Sequence, residues 1–278
     1  MNSLKGKVAL VTGVASKSSI GHAVALKLAG EGANIVVLDK YAVPQNLIAE
    51  ETGWGGLNDV VAEIKSQGSE ALAVTANIAS SEEVNAAIAK ALETFKKIDI
   101  LVHCAGIRGP VSTPMIDIAE EEWKSVVDIN LNGTFIISQA ISRNMVERGD
   151  GGKIVIIASM GGVKGMSGSS PYCASKFGTI GLVKSLALEL AQYNINVNAV
   201  NPGAVTTNLR DNYYKEVAEA EGITIEEARD RHNEKSVGAI PLARFGTPED
   251  IARLVLYLVT DESSYITGEA INISGGIS

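Results

Sequence analysis

The sequence predicts a single doubly wound α/β domain, a parallel sheet with helices on both faces. Three observations point that way. Apolar runs of strand length alternate with longer segments of helical spacing along the chain. The strand runs are near-continuously apolar rather than alternating, which suits a sheet covered on both sides. The 278 residues, 46% hydrophobic, suffice for one full core, and no repeat, low-complexity tract or linker divides residues 1–278.

The elements follow in order. "KVALVTG" is the first strand and runs into "TGVASKSSIG", residues 12–21, a glycine loop without a middle glycine. "IGHAVALKLAGEG" has helical spacing and stops at Gly30 and Gly32, and "ANIVVLD" is the second strand, ending at Asp39. Residues 40–57 carry Pro44 and a Gly-Trp-Gly-Gly cluster and read as an inserted loop. A helix over 57–67, the strand "EALAVTANI" and a helix over 81–96 capped by Ser80 or Ser81 come next. "IDILVHCAG" is the fourth strand, Glu120 to Glu147 one long helix, and "KIVIIAS" the fifth strand. Pro171 opens a long helix, "PYCASKFGTIGLVKSLALELAQ". "INVNAVNPG" is the sixth strand and "EAINISGG" the last, with a polar, helical excursion at 208–240 between them. In doubly wound folds ligands bind at the carboxyl ends of the strands, so this excursion is placed to be a lid.

Composition narrows the function. A net charge of −8 with no Lys/Arg block disfavours nucleic acid and anionic membranes as partners. No apolar run reaches bilayer length and the first residues do not read as a signal peptide, so a cytoplasmic location is expected. Cys104 and Cys173 lack CxxC spacing and read as free thiols; His22, His103 and His232 lack metal-ligand spacing.

Three groups carry chemistry. Gly13 ends a strand and Gly21 lies at a helix start, so backbone N–H groups and the helix N-terminus can meet a pyrophosphate, although the loop does not match G-x-G-x-x-G. Asp39 can accept hydrogen bonds from both ribose hydroxyls and would repel a 2′-phosphate, which favours NAD over NADP; Lys17 or Lys40 within reach of a phosphate would favour NADP. Tyr172 and Lys176 share one helix face at i, i+4. An ammonium there, with an oxidised nicotinamide, stabilises a phenolate and equips the tyrosine to move a proton. Ser159, at the end of the fifth strand, can hydrogen-bond a substrate oxygen.

Together these motifs resemble the short-chain dehydrogenase/reductase family, end to end: the TG-rich loop, Asp39, "HCAG", "DINLNG", Ser159 thirteen residues before Tyr172, YxxxK, "NPGAVTTNL" and "PLARFGTPEDIA". The resemblance implies a Rossmann-like fold and a homotetramer or dimer, with the helices near 120–147 and 171–192 at its interface. It implies Tyr172 as acid/base, Lys176 as its partner and holder of the nicotinamide ribose, and Ser159 as the group that polarises the substrate oxygen. By the same resemblance Asn130 is the asparagine that completes the tetrad and holds a water linking Lys176 to solvent. The cofactor set it implies comprises Gly13, Ser16, Lys17, Ser19, Ile20, Asp39, Asn77, Ile78, Cys104, Ala105, Gly106, Tyr172, Lys176, Pro202, Gly203, Val205 and Thr207.

Two departures matter. The usual NNAG is here His103-Cys104-Ala105-Gly106, and Cys104 cannot supply an asparagine's amide bonds. The glycine loop is similar to that of enoyl-acyl-carrier-protein reductases, but the Tyr–Lys spacing favours alcohol/carbonyl chemistry. The expectation is therefore an NAD-dependent alcohol dehydrogenase or ketone reductase. Alternatives are NADP-dependent carbonyl, enoyl or imine reduction, and a nucleotide sensor with silent chemistry. Substrate candidates are Arg108, Met160, Lys164, Met166, Leu209, Arg210, Tyr213 and Tyr214. Arg108, Lys164 and Arg210 are placed to converge on an anionic or polyhydroxylated substrate or to be solvated surface cations, and a hydrophobic cyclic alcohol or ketone is the other class.

Overall fold

A computed structural model describes residues 3–45 and 53–277; among them the side chains of Arg210, Asn212, Glu216, Ala220 and Lys235 are not described. Seven strands, β1 (Val8–Thr12), β2 (Asn34–Asp39), β3 (Ala71–Thr75), β4 (Ile100–His103), β5 (Gly152–Ile157), β6 (Ile195–Pro202) and β7 (Ala270–Ile273), form one parallel sheet. Their order is β3-β2-β1-β4-β5-β6-β7. Chain direction across the sheet therefore reverses between β1 and β4, which opens a crevice at their carboxyl ends.

Both faces are covered, as the continuous apolar runs require. Helices α1 (Ile20–Gly30), α2 (Leu57–Ser66) and α9 (Pro248–Val259) close one face over Val11, Ile35, Val102 and Val155. Helices α3 (Ser81–Phe95), α5 (Gly133–Arg148) and α6 (Ser170–Leu190) close the other over Leu10, Leu38, Leu101 and Ile156. Ser80 caps α3 by accepting the Glu83 N–H, and Pro171 lies in the first turn of α6.

The long helix expected from Glu120 to Glu147 is divided. Helix α4 (Glu120–Val127) passes into a π-turn over Asp128–Asn132 before α5 begins. One residue more per turn changes which side chains face inward. Asn130, only 1% exposed, points at the core of the site, and its carbonyl accepts the hydroxyls of Thr134 at 2.6 Å and Thr179 at 3.4 Å. Hydropathy spacing cannot register such a turn, because the flanking apolar residues keep a helical period on either side.

The excursion at 208–240 folds into α7 (Asp211–Glu221) and α8 (Ile225–Val237). The pair has a small core of its own, Tyr214, Ala218 and Ala228, with Tyr213, Val217, Ile223 and Ile225 packed against it. No helix among the described residues is long and apolar enough to cross a membrane.

Candidate active site

The glycine loop is held from four sides. Gly13 has φ +70°, and a Cβ there would lie 2.7 Å from the Ala105 nitrogen. A Cβ on Gly21 would lie 2.3 Å from the Gly13 carbonyl oxygen, so α1 starts against the turn itself. Both positions exclude a side chain, and no third glycine is needed between them. Ser19 caps α1 by accepting the His22 N–H at 3.0 Å. The Asp39 carboxylate accepts the Ala15 N–H at 3.0 Å and the Lys40 N–H at 2.7 Å. Burial pushes the Asp39 carboxyl above its usual range, while N–H groups of Ala15, Lys40, Val14 and Tyr41 pull it back.

The fourth support comes from the 40–57 insertion. Its residues 46–52 lie outside the described residues, but its two ends meet: the Leu57 N–H donates to the Ala42 carbonyl at 2.8 Å. A Cβ on Gly56, at φ +64°, would sit 2.1 Å from that same carbonyl oxygen. Trp54, beside this neck, donates its indole N–H to the Ala15 carbonyl at 2.7 Å. The Lys17 ammonium lies 5.6 Å over its ring and the His22 imidazole meets it edge-on at 5.5 Å. His22 in turn bonds Glu63 on α2 at 2.7 Å. The insertion thus buttresses the loop rather than decorating the surface.

The β4 end is organised by one hydroxyl. Thr12 Oγ accepts the N–H groups of Cys104 and Ala105, each at 3.1 Å, and lies 2.8 Å from His103 Nδ1. With both oxygen lone pairs occupied, Thr12 is the donor to Nδ1. Burial, with Lys176 adding to it, drives the His103 pKa down to about 3, so the ring is neutral. Burial pushes the Cys104 thiol up to about 12, which leaves it protonated and inert. Thr12 thus positions the backbone of this segment through its hydroxyl. Both cysteines are free thiols.

These pieces line a cleft of about 840 Å³. From the expected cofactor set, Gly13, Ser16, Ser19, Ile20, Asp39, Asn77, Ile78, Cys104, Ala105, Gly106 and Thr207 face it. Pro202 and Gly203 lie at the end of β6, where a Cβ on Gly203 would meet Ser274 at 2.8 Å. Val205 pairs with Gly246 beside a small separate pocket that Tyr214 also lines. Lys17 lies on Trp54.

The tetrad assembles behind Gly106 and Arg108. A Cβ on Gly106 would come within 3.1 Å of Asn130 Oδ1 and 3.7 Å of Lys176 Nζ, so glycine lets both approach the cleft floor. Tyr172 and Lys176 are each 6% exposed, with the ammonium 5.8 Å from the phenol ring. Lys176 donates to the Ile157 carbonyl at 2.9 Å. Burial lowers its pKa, and Tyr172 and Cys104 oppose that shift. Ser159 caps a short 3₁₀ turn, accepting the Gly161 N–H at 3.0 Å. The Asn130 side chain bonds Ile107 twice, accepting its N–H at 2.8 Å and donating to its carbonyl at 2.9 Å, and donates to Ser175 at 3.1 Å. It clamps the segment after β4 to α6, which carries Tyr172 and Lys176.

The substrate candidates separate. The Arg108 guanidinium stacks 4.3 Å from the Tyr172 ring centroid and lines the cleft. Met160 is buried, and Met166 packs with Tyr172 around Gly161, where a Cβ would meet them at 2.8 and 3.1 Å. Leu209 and Tyr213 line the cleft mouth. Tyr214 is buried against His232, ring to ring at 5.6 Å, inside the α7–α8 core. Lys164 is exposed after the 3₁₀ turn, and the side chain of Arg210 lies outside the described residues. Sequence reasoning missed Thr12, Trp54 and the Asn130–Ile107 clamp; the tryptophan inside a glycine cluster was the one available signal.

Comparison with known proteins agrees with this geometry. The family model described as enoyl-(acyl carrier protein) reductase matches residues 13–278. A 3-oxoacyl-[acyl-carrier-protein] reductase of Synechocystis is 38% identical over 278 residues, covering 100% of this chain and 99% of that protein. Carveol dehydrogenase from Mycobacterium avium, solved in complex with NAD, superposes with a TM-score of 0.87 at 28% identity, over 99% of both chains. An actinorhodin polyketide ketoreductase variant, solved with NADPH, gives a TM-score of 0.84 at 34% identity, over 98% of this chain and 97% of that one.

Proposed function

Because the chain belongs to the short-chain dehydrogenase/reductase family, we propose that it interconverts a secondary alcohol and a ketone, with NAD(H) as the preferred nicotinamide cofactor. The observation that carries the reading is Tyr172 buried beside Lys176, directly behind Gly106 and Arg108, which line the cleft together with the glycine loop. The residues fit the cofactor: Gly13 and Gly21 let the turn after β1 pack directly on Ala105 and on the start of α1, and Gly13, Ser19, Ile20 and Gly21 line the cleft at the α1 N-terminus. When bound, the nicotinamide supplies or takes up hydride.

The chain's own groups do the rest. The Tyr172 phenol donates a proton to the carbonyl oxygen during reduction and removes it during oxidation. Lys176, fixed by the Ile157 carbonyl, places a positive charge beside that phenol. Ser159 holds the substrate oxygen by its hydroxyl. Tyr172→Phe keeps the ring and removes the proton. It should lower kcat by about 10²–10⁴-fold while NADH binding, read by fluorescence titration, stays within a few fold. Retained turnover would remove Tyr172 from the mechanism.

Cofactor choice rests on the Asp39 carboxylate, which lines the cleft at the end of β2. A 2′-phosphate beside it meets like charge. A second reading, NADPH-dependent reduction of a 3-oxoacyl-[acyl-carrier-protein] substrate, is supported by the 38% identical relative of that name and by the 34% identical ketoreductase solved with NADPH. The ratio of kcat/KM for NADH over NADPH separates the two. On the NAD reading it exceeds one and falls by about tenfold or more in Asp39→Ala. We also infer a homo-oligomer, supported by Phe135, Phe177 and Leu188 exposed on α5 and α6.

A further inference from the structure

We infer that Trp54 is a cofactor-specificity residue: its ring holds the Lys17 ammonium away from the adenosine ribose and so withholds a cation from a 2′-phosphorylated dinucleotide. The inference rests on the nicotinamide-cofactor reading above.

Lys17 is the cation that the glycine loop offers. It comes two residues after Ala15, whose N–H donates to the Asp39 carboxylate at 3.0 Å. On the cofactor reading that carboxylate meets the adenosine ribose, so this part of the loop passes beside the place of a 2′-phosphate. Lys17 is exposed, and a lysine ammonium on its flexible stem binds phosphate as a point charge. Turned towards the ribose, it would offset the repulsion that Asp39 exerts on that phosphate.

The ammonium lies instead over Trp54, 5.6 Å from the ring centroid, within the range of a cation–π contact. The ring is fixed from several sides. Its indole N–H donates to the Ala15 carbonyl at 2.7 Å, and the His22 imidazole meets it edge-on at 5.5 Å. The next residue, Gly55, donates its N–H to the Asp59 carboxylate at 2.6 Å. The ring also packs against the core beneath α1. Ser16 and Ser19 line the cleft on either side of Lys17, whereas neither Lys17 nor Trp54 is among the described residues that line it.

Lys40 supplies the contrast. Its ammonium also lies over a ring, 5.2 Å from the Tyr41 centroid. Lys40 and Tyr41 both line the cleft, however, so that pair stays where a nucleotide can meet it. Withholding is confined to Lys17.

The test reads the dissociation constants of NADH and NADPH by fluorescence titration of the full chain at physiological ionic strength. The deciding quantity is the NADH constant divided by the NADPH constant. Loss of the Ala15 bond weakens both nucleotides alike and cancels in that ratio. Trp54→Leu should raise the ratio by about two- to fivefold, the size of an exposed cation–π contact. Trp54→Phe loses the indole N–H but keeps a ring, and should move the ratio in the same direction by less. Lys17→Ala alone should leave the ratio within about twofold, and combined with either Trp54 variant it should abolish the rise. A ratio unmoved by the Trp54 variants, or a rise that persists without Lys17, would make Trp54 a support for the loop alone and overturn the inference. A larger fall in Lys17→Ala would overturn it as well, since Lys17 would already reach the phosphate; this exposed substitution gives that answer even where Trp54→Leu does not fold. Tighter wild-type binding of NADPH than of NADH, with the variant responses as stated, would support the inference and overturn the NAD preference alone. Binding of neither nucleotide would overturn the nicotinamide reading and this one with it.

Discussion

The glycine-loop side of the cleft and the α7–α8 side are built on opposite principles. On the first, Gly13, Gly21, Thr12, Asp39 and Trp54 bind backbone to backbone or side chain to backbone, and the sheet itself is one wall. On the second, a helix pair packs largely on its own Tyr214–Ala218–Ala228 core and offers side chains such as Leu209 and Tyr213 to the cleft. A dinucleotide has a constant shape, so backbone geometry can recognise it. A substrate varies, and on the function proposed above its recognition would fall to side chains on an element that can change without disturbing the sheet.

Three measurements would break or sharpen that contrast. The largest effect belongs to Gly21→Ala. The added methyl falls 2.3 Å from the Gly13 oxygen, so α1 must retreat, at about 1–3 kcal/mol of stability. Dinucleotide affinity by titration should fall about tenfold or more. Unchanged affinity would mean that the loop does not need its contact with α1.

On the other side, Tyr214→Ala empties the α7–α8 core. It should raise substrate KM by roughly tenfold while the dinucleotide Kd stays within threefold. Equal losses for both ligands would show that the two sides are one cooperative unit.

The smallest effect is a pH dependence beneath the cofactor side. His103 is held neutral at a pKa of about 3, against an unfolded value near 6.5. Its contribution is therefore complete above about pH 6.5 and is lost as pH falls towards 3, by about 1.4 kcal/mol per unit within that window. Denaturant melts at pH 7 and 5 should show less acid sensitivity in His103→Asn than in wild type. Equal sensitivity would place the burden on other groups.

The same contrast explains what the sequence made legible. The strands, the helices on both faces and Asp39 at a strand end can be read from periodicity and spacing, and the Ser159–Tyr172–Lys176 group from the family resemblance, because each depends on residues near in sequence or on motifs with fixed separations. The π-turn at Asp128–Asn132 could not be read, since it changes register without changing hydropathy. Nor could the Arg108–Tyr172 stack or the Trp54–Ala15 bond, which join residues 64 and 39 positions apart by tertiary packing alone.

The closed neck at Ala42 and Leu57 has an evolutionary and practical consequence. A segment whose two ends are already joined can gain or lose residues at a cost that grows only logarithmically with its length. Strand β2 and helix α2 would not register the change, whereas Trp54, at the neck, would stay on the glycine loop. The neck is thus a fixed mount: whatever sequence joins its two sides, the closed Ala42–Leu57 pair holds β2, α2 and Trp54 in place beside the nucleotide site.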